Sequence, residues 1–211
     1  MRNQWLARAI FLSWFTIVYN LIEGFVSIAF GVADESIALA GFGIDSLIEV
    51  ASAVLILWRF RSGSEVDSER SMARERKATL GIGVLFLLLS AVIVAGSALQ
   101  LRTGGHPITT VPAMIISAVS LSFMFWLWSS KRRVARELDS ASMAKDAACS
   151  LACIKLSVIL FIGSLAFAVW PNLWWVDSVA ALGLAALIAR EGWQTVEAAR
   201  RPDFSGGCCC G

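Results

Sequence analysis

Six long apolar stretches recur along the chain of 211 residues and constrain its fold more than any other feature. Each is long enough for a helix that crosses a bilayer, which takes about 20 predominantly apolar residues. The stretches cover approximately residues 10–32, 36–58, 78–101, 109–129, 142–169 and 173–189. Because 57% of the residues are apolar and only 16% are charged, little of the chain remains for anything else. We therefore predict an all-α membrane protein with six transmembrane helices and no folded soluble domain.

The distribution of Lys and Arg predicts the orientation of these helices. Of the 18 basic residues, only Arg102 falls in a loop opposite the termini, and Lys155 lies within the fifth stretch. The positive-inside rule therefore places both termini in the cytoplasm, and a bacterial protein of this kind would lie in the inner (plasma) membrane. The basic run that begins at Lys131 is interpreted as one set of these orienting charges. Cytoplasmic connections are expected at residues 61–77 and 131–145, and both can be partly helical.

The domain organisation predicted from these stretches is simple. Residues 1–201 form one six-helix transmembrane domain, and residues 202–211 form a short Cys-rich cytoplasmic tail that is expected to be disordered. The tail thiols at Cys208–Cys210 are able to take a soft metal or accept a lipid. The single histidine, His106, is expected in an exposed outer turn, so a site built mainly from imidazoles is excluded. The net charge of +2 gives no support for a nucleic-acid partner.

Four acidic residues lie where a bilayer would surround them: Glu23, Asp45, Glu49 and Asp146. An ionised side chain at that depth costs about 2.5–3.5 kcal/mol on the lenient insertion scale. Asp45 and Glu49 are four residues apart, so both carboxylates share one helix face and can chelate a divalent cation or share a proton. Alternatively, they pair with Lys155 or accept hydrogen bonds from neighbouring serines, Ser46 and Ser52.

The fifth stretch repeats this spacing with thiols at Cys149 and Cys153, and Asp146 lies one turn earlier. Thiolates bind zinc and other soft divalent ions strongly, but buried cysteines also pack as small apolar side chains. Counting 1.5 Å per residue from the expected ends of the spans brings Asp45, Cys149 and Cys153 to similar depths near the bilayer centre. Glu23 lies at a similar depth in the first span.

At these residues the chain resembles the transmembrane part of the cation diffusion facilitator (cation efflux) family. That family has a Ser-x-Ala-Leu sequence before an Asp- or His-x-x-x-Asp motif on its second helix, and His-x-x-x-Asp on its fifth. Here residues 36–39 read Ser-Ile-Ala-Leu and precede Asp45 and Glu49, and Asn20 and residues 175–178 are also similar to family positions. Residues 19–24, 54–60 and 190–192 resemble the short branch related to vesicular zinc-transporting membrane proteins.

The resemblance covers about residues 10–195 and implies exchange of a divalent metal for protons by alternating access, in a homodimer. The fifth helix departs from the family because Cys149 and Cys153 replace its histidine and aspartate. Either two carboxylates and two thiols bind zinc, with a shift toward softer ions such as cadmium, or Asp146 or Glu23 supplies ligands instead. The alternative function is a non-transporting membrane protein that regulates or scaffolds another transporter. No enzymatic motif occurs, and neither catalysis nor a resident cofactor is expected.

Overall fold

The computed structural model describes residues 2–33, 37–60, 68–103, 110–169 and 176–204. These residues form six helices and no strand, so the all-α prediction is confirmed. The helices are α1 (Arg2–Ala33), α2 (Ile37–Phe60), α3 (Ser68–Thr103), α4 (Thr110–Leu138), α5 (Ala141–Val169) and α6 (Val176–Arg200).

The six helices pack mainly in three pairs, and the pairs are joined to one another through α2 and α5. The pairs are α1 with α2, α3 with α6, and α4 with α5. Helix α2 also contacts α3 and α5, and helix α5 also contacts α3 and α6. The two helices that carry most of the predicted site residues therefore lie against each other in the centre of the bundle.

Helix α1 is polar on its inner face and apolar on its outer face. Every third or fourth residue is a buried polar one, namely Ser13, Thr16, Asn20, Glu23 and Ser27. The large apolar residues on the other face are exposed, namely Phe11, Trp14, Val18, Ile22 and Phe25. This arrangement is the reverse of a water-soluble amphipathic helix, and it suits a helix whose outer face meets lipid.

Length and composition alone identify two described helical segments as long and apolar enough to cross a membrane. They are Asn3–Ala33 in α1 and Ser71–Thr103 in α3. The expected set of six spans with cytoplasmic termini stays a prediction.

The connection expected at residues 131–145 is almost entirely helical. Helix α4 continues to Leu138, and only Asp139 and Ser140 separate it from α5. Asp139 has a φ of 48°, a left-handed conformation that Asp tolerates better than most residues. The Ser140 hydroxyl accepts a hydrogen bond from the backbone N–H of Met143 and so caps α5.

A buried carboxylate fixes this turn to the bundle. Glu75 of α3 accepts hydrogen bonds from the Ser140 hydroxyl and the Ser142 backbone N–H, each at 2.7 Å. Its other oxygen lies 2.5 Å from Nε of Arg59 on α2. Both Glu75 oxygens therefore have partners, and this end of the bundle joins α2, α3 and α5.

Helices α3 and α6 approach each other most closely at two glycines. A Cβ atom built on Gly192 would lie 3.0 Å from the carbonyl oxygen of Gly83 and 2.9 Å from Cβ of Phe86. A Cβ on Gly183, in the same helix, would meet nothing within 4 Å. Of these two glycines of α6, packing therefore requires a glycine only at Gly192. Small residues are common at close helix contacts in membranes.

We expect Gly192→Ala to lower the thermal stability of the purified protein and Gly183→Ala to leave it unchanged or raise it slightly. Alanine has the better helix propensity by about 1 kcal/mol, but overpacking at Gly192 costs about 1–3 kcal/mol. Thermal unfolding in detergent, followed by tryptophan fluorescence, measures both changes. Equal shifts for the two variants would contradict the close α3–α6 contact.

Candidate functional site

Helices α2 and α5 meet through a thiol and a carboxylate. Cys153 donates a hydrogen bond from Sγ to Oδ2 of Asp45 at 2.6 Å, and both side chains are buried. One turn away on each helix, Glu49 and Cys149 are completely buried, between this contact and the hydrogen bond from Ser52 of α2 to Asp146 of α5. The four residues predicted as metal ligands therefore occupy facing turns of the two central helices.

Several oxygens at this contact have no hydrogen-bond partner in the described part of the chain. They are Oδ1 of Asp45 and both carboxylate oxygens of Glu49; Oδ1 of Asn20 on α1 and Oδ2 of Asp146 also have no hydrogen-bond partner, although the latter lies 3.0 Å from Nζ of Lys131. A buried polar group without a partner costs about 1–3 kcal/mol, and a charged one costs more. A set of acceptors with too few donors is suited to receive a cation or a proton.

The serines expected to satisfy Asp45 and Glu49 bind other carboxylates. Ser46 donates a hydrogen bond to Oε2 of Glu23 at 3.1 Å, and Ser52 donates one to Oδ1 of Asp146 at 2.6 Å. The Lys155 side chain is exposed on α5. The alternative interpretation, in which these serines or Lys155 are the partners of Asp45 and Glu49, is therefore wrong.

Glu23 lies beside this contact with both of its oxygens occupied. The Tyr19 hydroxyl donates to Oε1 at 3.1 Å, and Ser46 donates to Oε2. Glu23 is 8% exposed, so it is more open to its surroundings than Asp45 or Glu49. Its satisfied oxygens make it less available as a ligand than the unpartnered oxygens of Glu49.

A fully buried lysine is the residue that the sequence reasoning missed. Lys131 of α4 places Nζ 3.0 Å from Oδ2 of Asp146 and donates a hydrogen bond to the Ser150 hydroxyl at 3.0 Å. Its side chain is 0% exposed, so besides belonging to the basic run that predicts the orientation it makes buried contacts that the sequence did not predict. Asp146, an expected lower-ranking ligand, therefore has Ser52 on one oxygen and Lys131 on the other.

A signal for this burial exists in the periodicity of α4. Lys131 continues a stripe in which every third or fourth residue is buried, whereas its neighbours Arg132 and Arg133 are exposed. The other members of the stripe are Met124, Leu127 and Val134. Lys131, Arg132 and Arg133 are adjacent in the basic run, but helical periodicity places Lys131 on a different face from the two arginines.

The side chains are close together without forming a ready metal site. In the described residues, no group of three or more His, Cys, Asp or Glu side chains has an arrangement that would hold a metal ion. Cys149 and Cys153 are free thiols, and the Cys153 thiol is engaged with Asp45. His106 and Cys208–Cys210 lie outside the described residues.

A family model for the cation efflux transmembrane domain matches residues 13–201. The chain belongs to the cation efflux family. Transmembrane protein 163 of Xenopus laevis is 24% identical over 185 residues, which make up 88% of this chain and 65% of that protein. The chain thus spans slightly less than two thirds of the length of this curated relative.

Membership of the cation efflux family confirms the resemblance expected from the second helix, and the relative supports assignment to the short branch. Together with the apolar helices, it identifies the chain as an integral membrane protein. The thiols of α5 remain a departure from the motif of the cation efflux family, and they lie opposite Asp45 and Glu49.

The oxygens of Glu49 without hydrogen-bond partners predict that replacing this residue stabilises the metal-free protein. Glu49→Met removes a buried carboxylate without partners and fills its space with an apolar side chain, so we expect the metal-free protein to become more stable by about 1–3 kcal/mol. Thermal unfolding in the presence of a chelator measures this change.

Glu75→Met is the matched control, because Glu75 is also buried but both of its oxygens have partners. We expect that variant to be destabilised. Destabilisation of both variants to a similar extent would mean that Glu49 contributes to the stability of the metal-free fold.

Proposed function

We propose that this protein transports divalent metal cations, with zinc as the principal ion and cadmium or other soft divalent ions as further substrates. The observation that carries the proposal is the set of Asp45 and Glu49 oxygens without hydrogen-bond partners, buried with two free thiols between α2 and α5. Membership of the cation efflux family supports transport rather than catalysis.

The proposed ligands are the carboxylates of Asp45 and Glu49 and the thiols of Cys149 and Cys153. Two oxygens and two sulfurs suit tetrahedral zinc, and the sulfurs favour softer ions more than an all-oxygen site does. Asn20 offers a further neutral oxygen at the same place. Small shifts of these side chains would be needed, since no three of the described candidate ligands are arranged around a common point.

Proton exchange follows from the chemistry of these ligands. Thiols must lose their protons to bind zinc, so metal binding releases protons and protonation releases metal. The hydrogen bond from Cys153 to Asp45 is suited to the proton-bearing form of the site. We propose alternating access through six membrane-spanning helices with cytoplasmic termini, in a homodimer as the family resemblance implies.

Transport measurements with single variants test this function. In proteoliposomes that enclose a zinc-sensitive dye, we expect Asp45→Asn and Glu49→Gln each to lower the initial rate of zinc uptake at least about tenfold, since loss of one charged ligand costs more than about 1.4 kcal/mol. A pH-sensitive dye should report proton movement in the opposite direction.

The matched control is Glu191→Gln, because Glu191 is a partly exposed carboxylate that pairs with Lys145 away from the site. We expect its uptake rate to stay near that of the unmodified protein. Unchanged uptake in both site variants would refute the ligand assignment. Zinc binding without uptake or proton movement would instead favour a regulatory or scaffolding protein.

A further inference from the structure

The proposed transport function leaves one buried charged group unused, the ammonium of Lys131. Its Nζ lies 3.0 Å from Oδ2 of Asp146 and donates a hydrogen bond to the Ser150 hydroxyl, and Asp146 also accepts a hydrogen bond from Ser52 of α2. Ser150 is adjacent in sequence to Cys149, and Ser52 lies about one turn from Glu49 on the same helix. Lys131 therefore lies at the edge of the proposed metal site.

Stability alone is a weak explanation for this lysine. A long lysine near a helix end normally extends its ammonium to a polar surface, as Arg132 and Arg133 have the opportunity to do on the exposed face of α4. Lys131 instead directs its ammonium into the bundle, where removing two charges from water usually costs as much as their attraction returns. A buried ion pair that adjoins a cation site changes the charge which that site presents.

The charge balance of the cluster suggests what the ion pair does. Three buried carboxylates, from Asp45, Glu49 and Asp146, surround the space between α2 and α5, and Lys131 supplies one positive charge. Without the lysine, Asp146 would be a third anionic ligand close to the thiols. With it, both Asp146 oxygens are occupied, and a fixed positive charge remains near any metal bound at Glu49.

We propose that Lys131 is a resident counter-cation that keeps Asp146 out of the metal ligand set and limits the affinity of the site, so that a bound divalent cation can leave. This inference rests on the proposed transport function and deepens it. Lys131 is a positioning residue, since it acts through Asp146 and through its own charge and does not bind the metal.

Zinc affinities of single and double variants test this role. For the detergent-purified full chain, competition with a fluorescent zinc indicator gives the dissociation constant. We expect Lys131→Gln to lower it about tenfold, because a positive charge is removed and Asp146 is released. Asp146→Asn should raise it about tenfold, because the ammonium then lacks its partner beside Glu49.

The double variant Lys131→Gln/Asp146→Asn should return within about threefold of the unmodified protein. Lys131→Arg keeps the charge and should stay in the same range. The control Lys145→Gln removes a partly exposed lysine that pairs with Glu191 of α6, and it should leave the dissociation constant unchanged. In uptake assays, Lys131→Gln should lower both KM and the maximal rate, a combination that a purely structural defect does not produce.

The inference requires that Lys131→Gln and Asp146→Asn change the zinc dissociation constant in opposite directions. If Lys131→Gln and Asp146→Asn both weaken binding, or both leave it unchanged, the ion pair is structural and the inference is overturned. If Lys131→Gln fails to fold, the charge-balanced double variant is compared with Asp146→Asn, and the inference then requires about tenfold tighter binding in the double variant.

Failure of the proposed function has a different signature. If the unmodified protein binds no zinc, or binds it equally well after Asp45→Asn, the metal site itself is refuted. If zinc binding depends on Asp45 but not on the charge of Lys131, the transport proposal stands and only the counter-cation inference falls.

Discussion

The burial of carboxylate oxygens without hydrogen-bond partners is the constraint on which this structure depends. Asp45 and Glu49 are 2% and 0% exposed, yet three of their four oxygens have no partner among the described residues. Glu75 and Glu23, by contrast, have a partner for each oxygen. The bundle therefore supplies hydrogen-bond donors to Glu75 and Glu23 and leaves Asp45 and Glu49 without enough of them. A cation that binds there offsets a cost that the fold otherwise carries.

Helix α2 connects three polar layers that differ in how fully they are satisfied. The first contains Asp45 with Cys153, and the second contains Glu49 beside the Lys131–Asp146 pair. The third contains Arg59 with Glu75 at the α4–α5 turn. Only in the third layer do both carboxylate oxygens have hydrogen-bond partners; Oδ1 of Asp45 and both oxygens of Glu49 have none among the described residues. The proposed binding position and a fully hydrogen-bonded contact therefore lie along the same helix.

Much of this arrangement was predictable because helical spacing carries it. The six helices follow from the apolar stretches, and the four-residue spacings of Asp45 with Glu49 and of Cys149 with Cys153 place each pair on one face. The serine partners were not predictable, because carboxylates on other helices compete with Asp45 and Glu49 for the hydroxyls of the nearby serines. Ser46 and Ser52 bind acidic residues of α1 and α5, and only tertiary packing decides such choices.

In α4, helical periodicity predicts which basic residue is buried, and the distribution of charge does not. The apolar stretch of α4 ends near residue 129, but the helix continues to Leu138 because its buried face continues through Lys131 and Val134. Basic residues after an apolar stretch usually mark a membrane boundary, and Lys131 was grouped with Arg132 and Arg133 for that reason. The periodicity of α4 predicts the burial of Lys131, whereas its partners Asp146 and Ser150 on α5 depend on tertiary packing.

We propose that zinc binds between α2 and α5 through two carboxylates and two thiolates. The X-ray absorption spectrum of zinc in the loaded protein tests this ligand set most directly. The spectra are measured in chains whose Cys208–Cys210 are replaced by serine, since the tail thiols can also take a soft metal. We expect two sulfur neighbours at about 2.3 Å and oxygen neighbours at about 2.0–2.2 Å. The sulfur shell should disappear in the variant with Cys149→Ser and Cys153→Ser. A spectrum without sulfur in the chain that keeps Cys149 and Cys153, or a sulfur shell that survives in this variant, would contradict the proposed site.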